Sequence, residues 1–156
     1  MRSVLITGMI LLTLISAGCI DDGNDDEKIP SRDYRQDMRK LVINISQYSK
    51  GIDPDFLIIP QNGQELLTLN GEPTGPPAKD YIKAIDGVGR EDLFYGYEED
   101  DRPTPESERD YMISFLDLAQ SQGLEVLVTD YCSTPSRMDD SYNRNSQKDY
   151  LSFSAD

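Results

Sequence analysis

No histidine occurs among the 156 residues. That absence excludes a Ser-His-Asp triad, a His-Glu-x-x-His zinc site and any imidazole general base. Tryptophan is missing too, and the two cysteines are Cys19 and Cys132. Positive charge is scarce: 15 Lys and Arg stand against 29 Asp and Glu, a formal net charge of −14. Such a surface repels nucleic-acid backbones and anionic substrates, so no nucleic acid is expected as a partner and a neutral or cationic one fits better. No cofactor motif is present. The run Glu98-Glu99-Asp100-Asp101 invites a calcium reading, but it lacks the spaced oxygen pattern of a calcium loop, and a solvated charge run is the better expectation. No metal site is therefore expected. Chemistry, if any, falls to carboxylates, Tyr, Lys or one thiol, and Cys132 has no basic neighbour to activate it.

The chain opens with Arg2, an apolar stretch from Val4 to Ile15, and the small residues Ser16-Ala17-Gly18 before Cys19. This is the order of a secretory signal, and the apolar stretch is shorter than the roughly 20 residues that span a bilayer. The run Leu14 to Cys19 also has the form of a lipobox, with cleavage before a cysteine that becomes lipidated. Residues 1–18 are thus read as a lipoprotein signal peptide, with plain secretion the competing reading. The protein is expected to be exported and held on the outer side of a membrane through Cys19. Lipidation leaves Cys132 alone, which excludes an intrachain disulfide. Residues 19–30 carry Asp21, Asp22, Asp25, Asp26 and Glu27, and read as an acidic tether. Removing residues 1–18 takes away Arg2 and no acid, leaving 14 basic against 29 acidic residues, or −15.

Residues 31–156 read as one modest domain of alternating helices and strands. A helix is predicted over 32–49, capped by Ser31, with Met38, Leu41, Val42, Ile45 and Tyr48 on one face. The β-branched Val42, Ile43 and Ile45 keep a strand over 41–46 open as the alternative. Phe56 to Gln61 reads as a buried strand ending in the turn signal Asn62-Gly63, and residues 70–77 as a loop. A short helix follows over 78–84, then a glycine-rich strand over 85–91. The best-signalled helix has Thr104 as cap, Pro105 at its first position, a buried stripe of Met112, Phe115, Leu116 and Ala119, and Gly123 at its end. A strand over 124–130, a weaker polar helix over 138–149 and a last strand over 150–155 complete the pattern. Strands alternating with helices argue for a parallel sheet of βαβ units, whose chemistry sits at the carboxyl ends of the strands. Those ends are Asn62, Glu91, Asp130 and Asp156.

Strand alternation puts Glu91 on one face with Ile85, Gly87 and Gly89, and Arg90 on the other. If the first face is the inner one, the glycines leave room for a ligand beneath Glu91. Asp130 shares a face with Val126 and Val128; contact with a sugar and bonding to nearby backbone amides are both open to it. Gln61 and Asn62 offer amides that orient hydroxyls, although Asn62-Gly63 is equally a plain turn. Tyr95 and Tyr97 are either a stacking platform or ordinary half-buried aromatics.

Three ordered segments carry a resemblance: residues 54–63 (Pro-Asp-Phe-Leu-Ile-Ile-Pro-Gln-Asn-Gly), 85–95 (Ile-Asp-Gly-Val-Gly-Arg-Glu-Asp-Leu-Phe-Tyr) and 126–131 (Val-Leu-Val-Thr-Asp-Tyr). Over about residues 36–156 the chain resembles the glycoside hydrolase family 114 relatives. These are endo-α-1,4-polygalactosaminidases and extracellular proteins sometimes labelled cysteinyl-tRNA synthetase-related. The synthetase label is not supported, since without histidine there is no His-Ile-Gly-His signature. The resemblance implies an α/β fold, a partial (β/α)8 TIM-type barrel with about half the strands. It implies Glu91 as general acid, with Gln61, Asn62, Tyr95, Tyr97, Asp130 and Tyr131 touching a polysaccharide or oligosaccharide. The family's first half, with its Asp-Gly-Val-x-x-Asp strand and catalytic aspartate, has no counterpart here. Asp86 cannot replace that aspartate, since it lies roughly 16 Å of extended chain from Glu91. Glycoside hydrolysis needs two carboxylates in different roles. The sequence therefore implies a partial hydrolase, inactive unless a complementary barrel half is supplied, with self-association as another way to close it. A permuted or cut barrel both fit. The alternative is a non-catalytic, lipid-anchored sugar-binding or structural module.

Overall fold

The computed structural model describes residues 32–155, so the signal, the tether and Cys19 lie outside the described residues. Asp33 starts helix α1, Tyr34–Ile52, by accepting the Gln36 amide at 3.0 Å. The helical alternative thus prevails over a strand at 41–46. A 3-10 turn at Gln64–Leu67 and a short helix α2, Lys79–Ile82, lead to strand β1, Gly87–Glu91. Helix α3, Glu106–Ser121, strand β2, Glu125–Tyr131, helix α4, Pro135–Gln147, and strand β3, Leu151–Ala155, follow in turn.

The three strands form a parallel sheet in chain order, with Val88 beside Val126 and Val128 beside Ser152. On the free side of β1, residues 58–62 run parallel to it: Asp86 and Gly89 donate to the carbonyls of Ile58 and Pro60, and Asn62 donates to Gly89. The βαβ reading holds, and the sheet with its flanking segment is an open parallel layer.

Even-numbered residues of the layer (Val88, Val126, Val128, Asp130, Ser154) are buried on the helix side with Met112, Phe115, Leu116 and Ala119 of α3. The opposite face bears Gly89, Glu91, Leu127, Thr129, Tyr131 and Phe153 and stays accessible, with Phe153 61% exposed. This is the face of the layer turned away from α3 and α4.

Four local expectations are corrected. Thr104 does not cap α3; its hydroxyl donates to the Asp92 carbonyl at 2.8 Å, and Pro105 takes the cap position without a side-chain bond. Residues 56–61 form no regular strand, because Pro60 has no N–H to give and Phe56 and Leu57 are exposed. The apolar stripe of α1 meets the core only along its edge at Val42, while Met38, Leu41, Ile45 and Tyr48 are exposed and the helix buries Arg39 and Ser46. Arg39 donates to the carbonyls of Leu66 and Thr68, so a cation anchors the helix where the pattern implied aliphatic packing. The polar helix starts at Pro135, three residues before its expected start. The ending of α3 is as expected: Gly123 adopts φ +81° and the Leu124 amide reaches back to Ala119.

Candidate functional site

The site forms where β1, β2 and the 58–62 segment end together. Asn62 adopts a left-handed conformation, φ +59°, which asparagine tolerates better than most residues, and this turns its amide toward β1. Its Nδ2 donates to Glu91 Oε2 at 2.9 Å while its Oδ1 accepts the Glu91 backbone N–H at 3.2 Å. From β2, the Tyr131 hydroxyl donates to Glu91 Oε1 at 2.7 Å. Both carboxylate oxygens are therefore held by neutral donors.

These donors set the charge state. The Tyr131 hydroxyl first, then the amides of Asn62 and Gln61, hold the Glu91 carboxyl below the usual glutamate range, and partial burial opposes them only weakly. A general acid needs the reverse, a carboxyl kept protonated by an apolar pocket or a second negative charge. Within the described residues Glu91 is an ionised hydrogen-bond acceptor, so its expected proton-donor role is not favoured by this environment. Because the folded pKa is depressed, the stability these bonds give is present above the ordinary glutamate value and lost as pH falls through the lowered one.

The adjacent Asp92 behaves oppositely. It sits at φ +56° with Oδ1 buried and unpartnered, and burial pushes its carboxyl up. Gly96 lets the loop pass so close that a Cβ there would lie 2.9 Å from Tyr131 Cβ and 2.8 Å from Asp92 Oδ1.

Of the residues chosen from sequence, Glu91, Asn62, Tyr131 and Gln61 come together, whereas Asp130, Tyr95 and Tyr97 do not join them. Asp130 is fully buried on the helix side. Its Oδ1 accepts the amides of Phe94 and Tyr95 at 2.8 and 3.2 Å, and its Oδ2 accepts Ser141 Oγ and Asn145 Nδ2 at 2.6 and 3.3 Å. No lone pair is free for a sugar, so the expected substrate contact is corrected to a structural one. Tyr95 is likewise buried, donating to Asp140 Oδ2 at 2.7 Å, and burial foremost pushes its hydroxyl up to about 12. It cannot offer a ring face to a sugar. Tyr97 is exposed on the loop beyond it.

Sequence reasoning missed Gln64. It is buried, and its Nε2 donates to the Gly89 carbonyl at 2.8 Å, fixing the strand beneath Glu91. Nothing in its local pattern marks it, since its partner is 25 residues away. Asp101, part of the acidic run, accepts the amides of Ser133 and Thr134 at 2.9 and 3.0 Å just before α4. Cys132 is buried and its thiol is pushed up by that burial. Among the described residues no group of three His, Cys, Asp or Glu is placed to hold a metal ion. No described helix is long and apolar enough to cross a membrane.

No family model matches the chain. It is 30% identical over 129 residues to an uncharacterized protein of Methanocaldococcus jannaschii, covering 77% of this chain and 34% of that protein. An uncharacterized protein of Deinococcus radiodurans is 29% identical over 104 residues, covering 67% of this chain and 30% of its own length. The chain thus spans about a third of these relatives. Among solved structures it is similar to the glycoside hydrolase domain of PelA from Pseudomonas aeruginosa, with a TM-score of 0.53 and 17% identity over 86% of this chain and 51% of that one.

Proposed function

From a fold shared with about half of a glycoside hydrolase domain, we propose that the chain is a carbohydrate-binding half-barrel that does not hydrolyse its ligand unaided. Its ligand class is an α-1,4-linked, galactosamine-type polysaccharide. One observation carries this reading: Glu91 is an ionised carboxylate held among neutral donors, while the neighbouring Asp92 has its Oδ1 buried beside Gly96. An ionised acceptor flanked by amides and a phenol suits the ammonium and hydroxyl groups of an amino sugar. Cleavage needs a second carboxylate in the complementary role. The acidic surface draws the same cationic polymer.

The test is affinity retention of the full chain on partly deacetylated galactosamine polymer, run beside a reducing-end assay. Retention without release of reducing ends is expected. Glu91→Gln should weaken retention about tenfold, a loss of about 1.4 kcal/mol. Retention should also persist below the ordinary glutamate pKa, because the Glu91 carboxyl stays ionised there. Steady release of reducing ends by the chain alone overturns the non-hydrolytic reading, and absence of retention overturns the binding one.

The lipobox reading makes this module a lipoprotein anchored through Cys19 on the outer side of a membrane. In a detergent phase-separation experiment the expressed protein should enter the detergent phase and Cys19→Ser should move to the aqueous phase. Equal partitioning of both overturns the anchor.

A further inference from the structure

We propose that helix α1 pairs with α1 of a second copy, antiparallel, through a six-residue apolar seam. This goes beyond the sugar-binding reading and does not depend on it. Along Tyr34–Ile52 the residues Tyr34, Met38, Leu41, Ile45, Tyr48 and Ile52 recur at alternating intervals of four and three. That spacing keeps one stripe in line down a helix and is the spacing by which two helices interlock. All six side chains are exposed, from 47% to 75%, although α1 already buries a different face through Arg39 and Ser46. The stripe is therefore left uncovered by the packing of the described residues.

The seam is self-complementary. A two-fold axis through the middle of the helix sets Tyr34 against Ile52 of the other copy, Met38 against Tyr48 and Leu41 against Ile45. Each layer then joins different shapes and no two tyrosines collide, whereas a parallel pair stacks every residue on itself. The flanking positions agree: Arg35 meets Ser49, Asp37 meets Gly51, and Asn44 meets Asn44, whose amide both donates and accepts. No like charges oppose one another. Antiparallel packing also sets the helix dipoles head to tail. The exposed parts of the six residues leave on the order of 700 Å² on each copy, near the ~800 Å² that a stable interface takes from each partner. An apolar patch of this size on an otherwise strongly acidic surface marks an interaction site.

The experiment uses the full chain. Sedimentation in mild detergent should show a concentration-dependent dimer, and Leu41→Glu, at an exposed position, should weaken it about a hundredfold with an unchanged circular dichroism spectrum. Mild oxidation of membranes should cross-link Asn44→Cys into a disulfide dimer, whereas Lys40→Cys, off the seam, should cross-link no more than the native chain. A dimer that survives Leu41→Glu, or a monomer at about 100 μM, overturns the proposal. So does a monomer that floats with phosphatidylglycerol vesicles only while the stripe is intact, which would make a lipid surface the occupant.

Discussion

Asp130→Ala is expected to lower the unfolding free energy by about 3–5 kcal/mol, a large part of the about 5–15 kcal/mol that a domain usually has. The carboxylate is fully buried and is the common acceptor for four donors. Truncation strands two backbone N–H groups, a hydroxyl and an amide in the buried interior. These donors come from the loop after β1 and from α4, so the loss uncouples both from β2 together. Asp130→Asn tests the chemistry at constant shape. Its single oxygen can still serve Phe94 and Tyr95, but its amide group meets the donors of Ser141 and Asn145, so about half the loss is expected. Urea midpoints for the two variants and the parent decide it. Equal stability of Asp130→Ala and the parent would mean that the hub contributes nothing.

Phe115→Ala is expected to cost about 3–5 kcal/mol by a different route. Phe115 has no exposed surface and packs edge-to-face on Tyr111, ring centroids 5.3 Å apart at 88°. It belongs to the stripe of α3 that faces the sheet and the 3-10 turn. Deleting the ring removes buried apolar surface and leaves a void that close-packed neighbours only partly fill. Phe115→Leu should cost about 1 kcal/mol, because most of the volume remains. A thermal melt in which both variants match the parent would show that α3 is not packed as described.

Much of the architecture was legible in residue spacing, and most of the misses concern what covers a face rather than which element forms. Helix α3 and β2 announce themselves because their periodicity, proline and glycine are local signals. Helix α1 was legible as a helix, but periodicity reports that an apolar stripe exists and not what covers it. For β2, alternation grouped Asp130 with Val126 and Val128, which the structure keeps; it could not tell the helix side of the sheet from the open side, and the side decides whether a carboxylate meets solvent or α4. The run at 56–61 misled because apolar composition outweighed the missing N–H of Pro60. At the site, Glu91, Asn62 and Tyr131 were visible because each ends a strand or its equivalent, whereas Gln64 depends on a partner no local pattern reveals. The charge state of Glu91 depends on the Tyr131 hydroxyl 40 residues away, which spacing does not disclose.

The order of the strands has a consequence for biosynthesis. Since the 58–62 segment, β1, β2 and β3 lie side by side in the order in which they are made, each new strand finds its neighbour already in place. Assembly can proceed from the amino end as the polypeptide emerges, one strand and helix at a time, without waiting for a distant segment. The growing end is always the last strand formed, so lengthening the layer by one more unit at β3 would leave every earlier pairing intact.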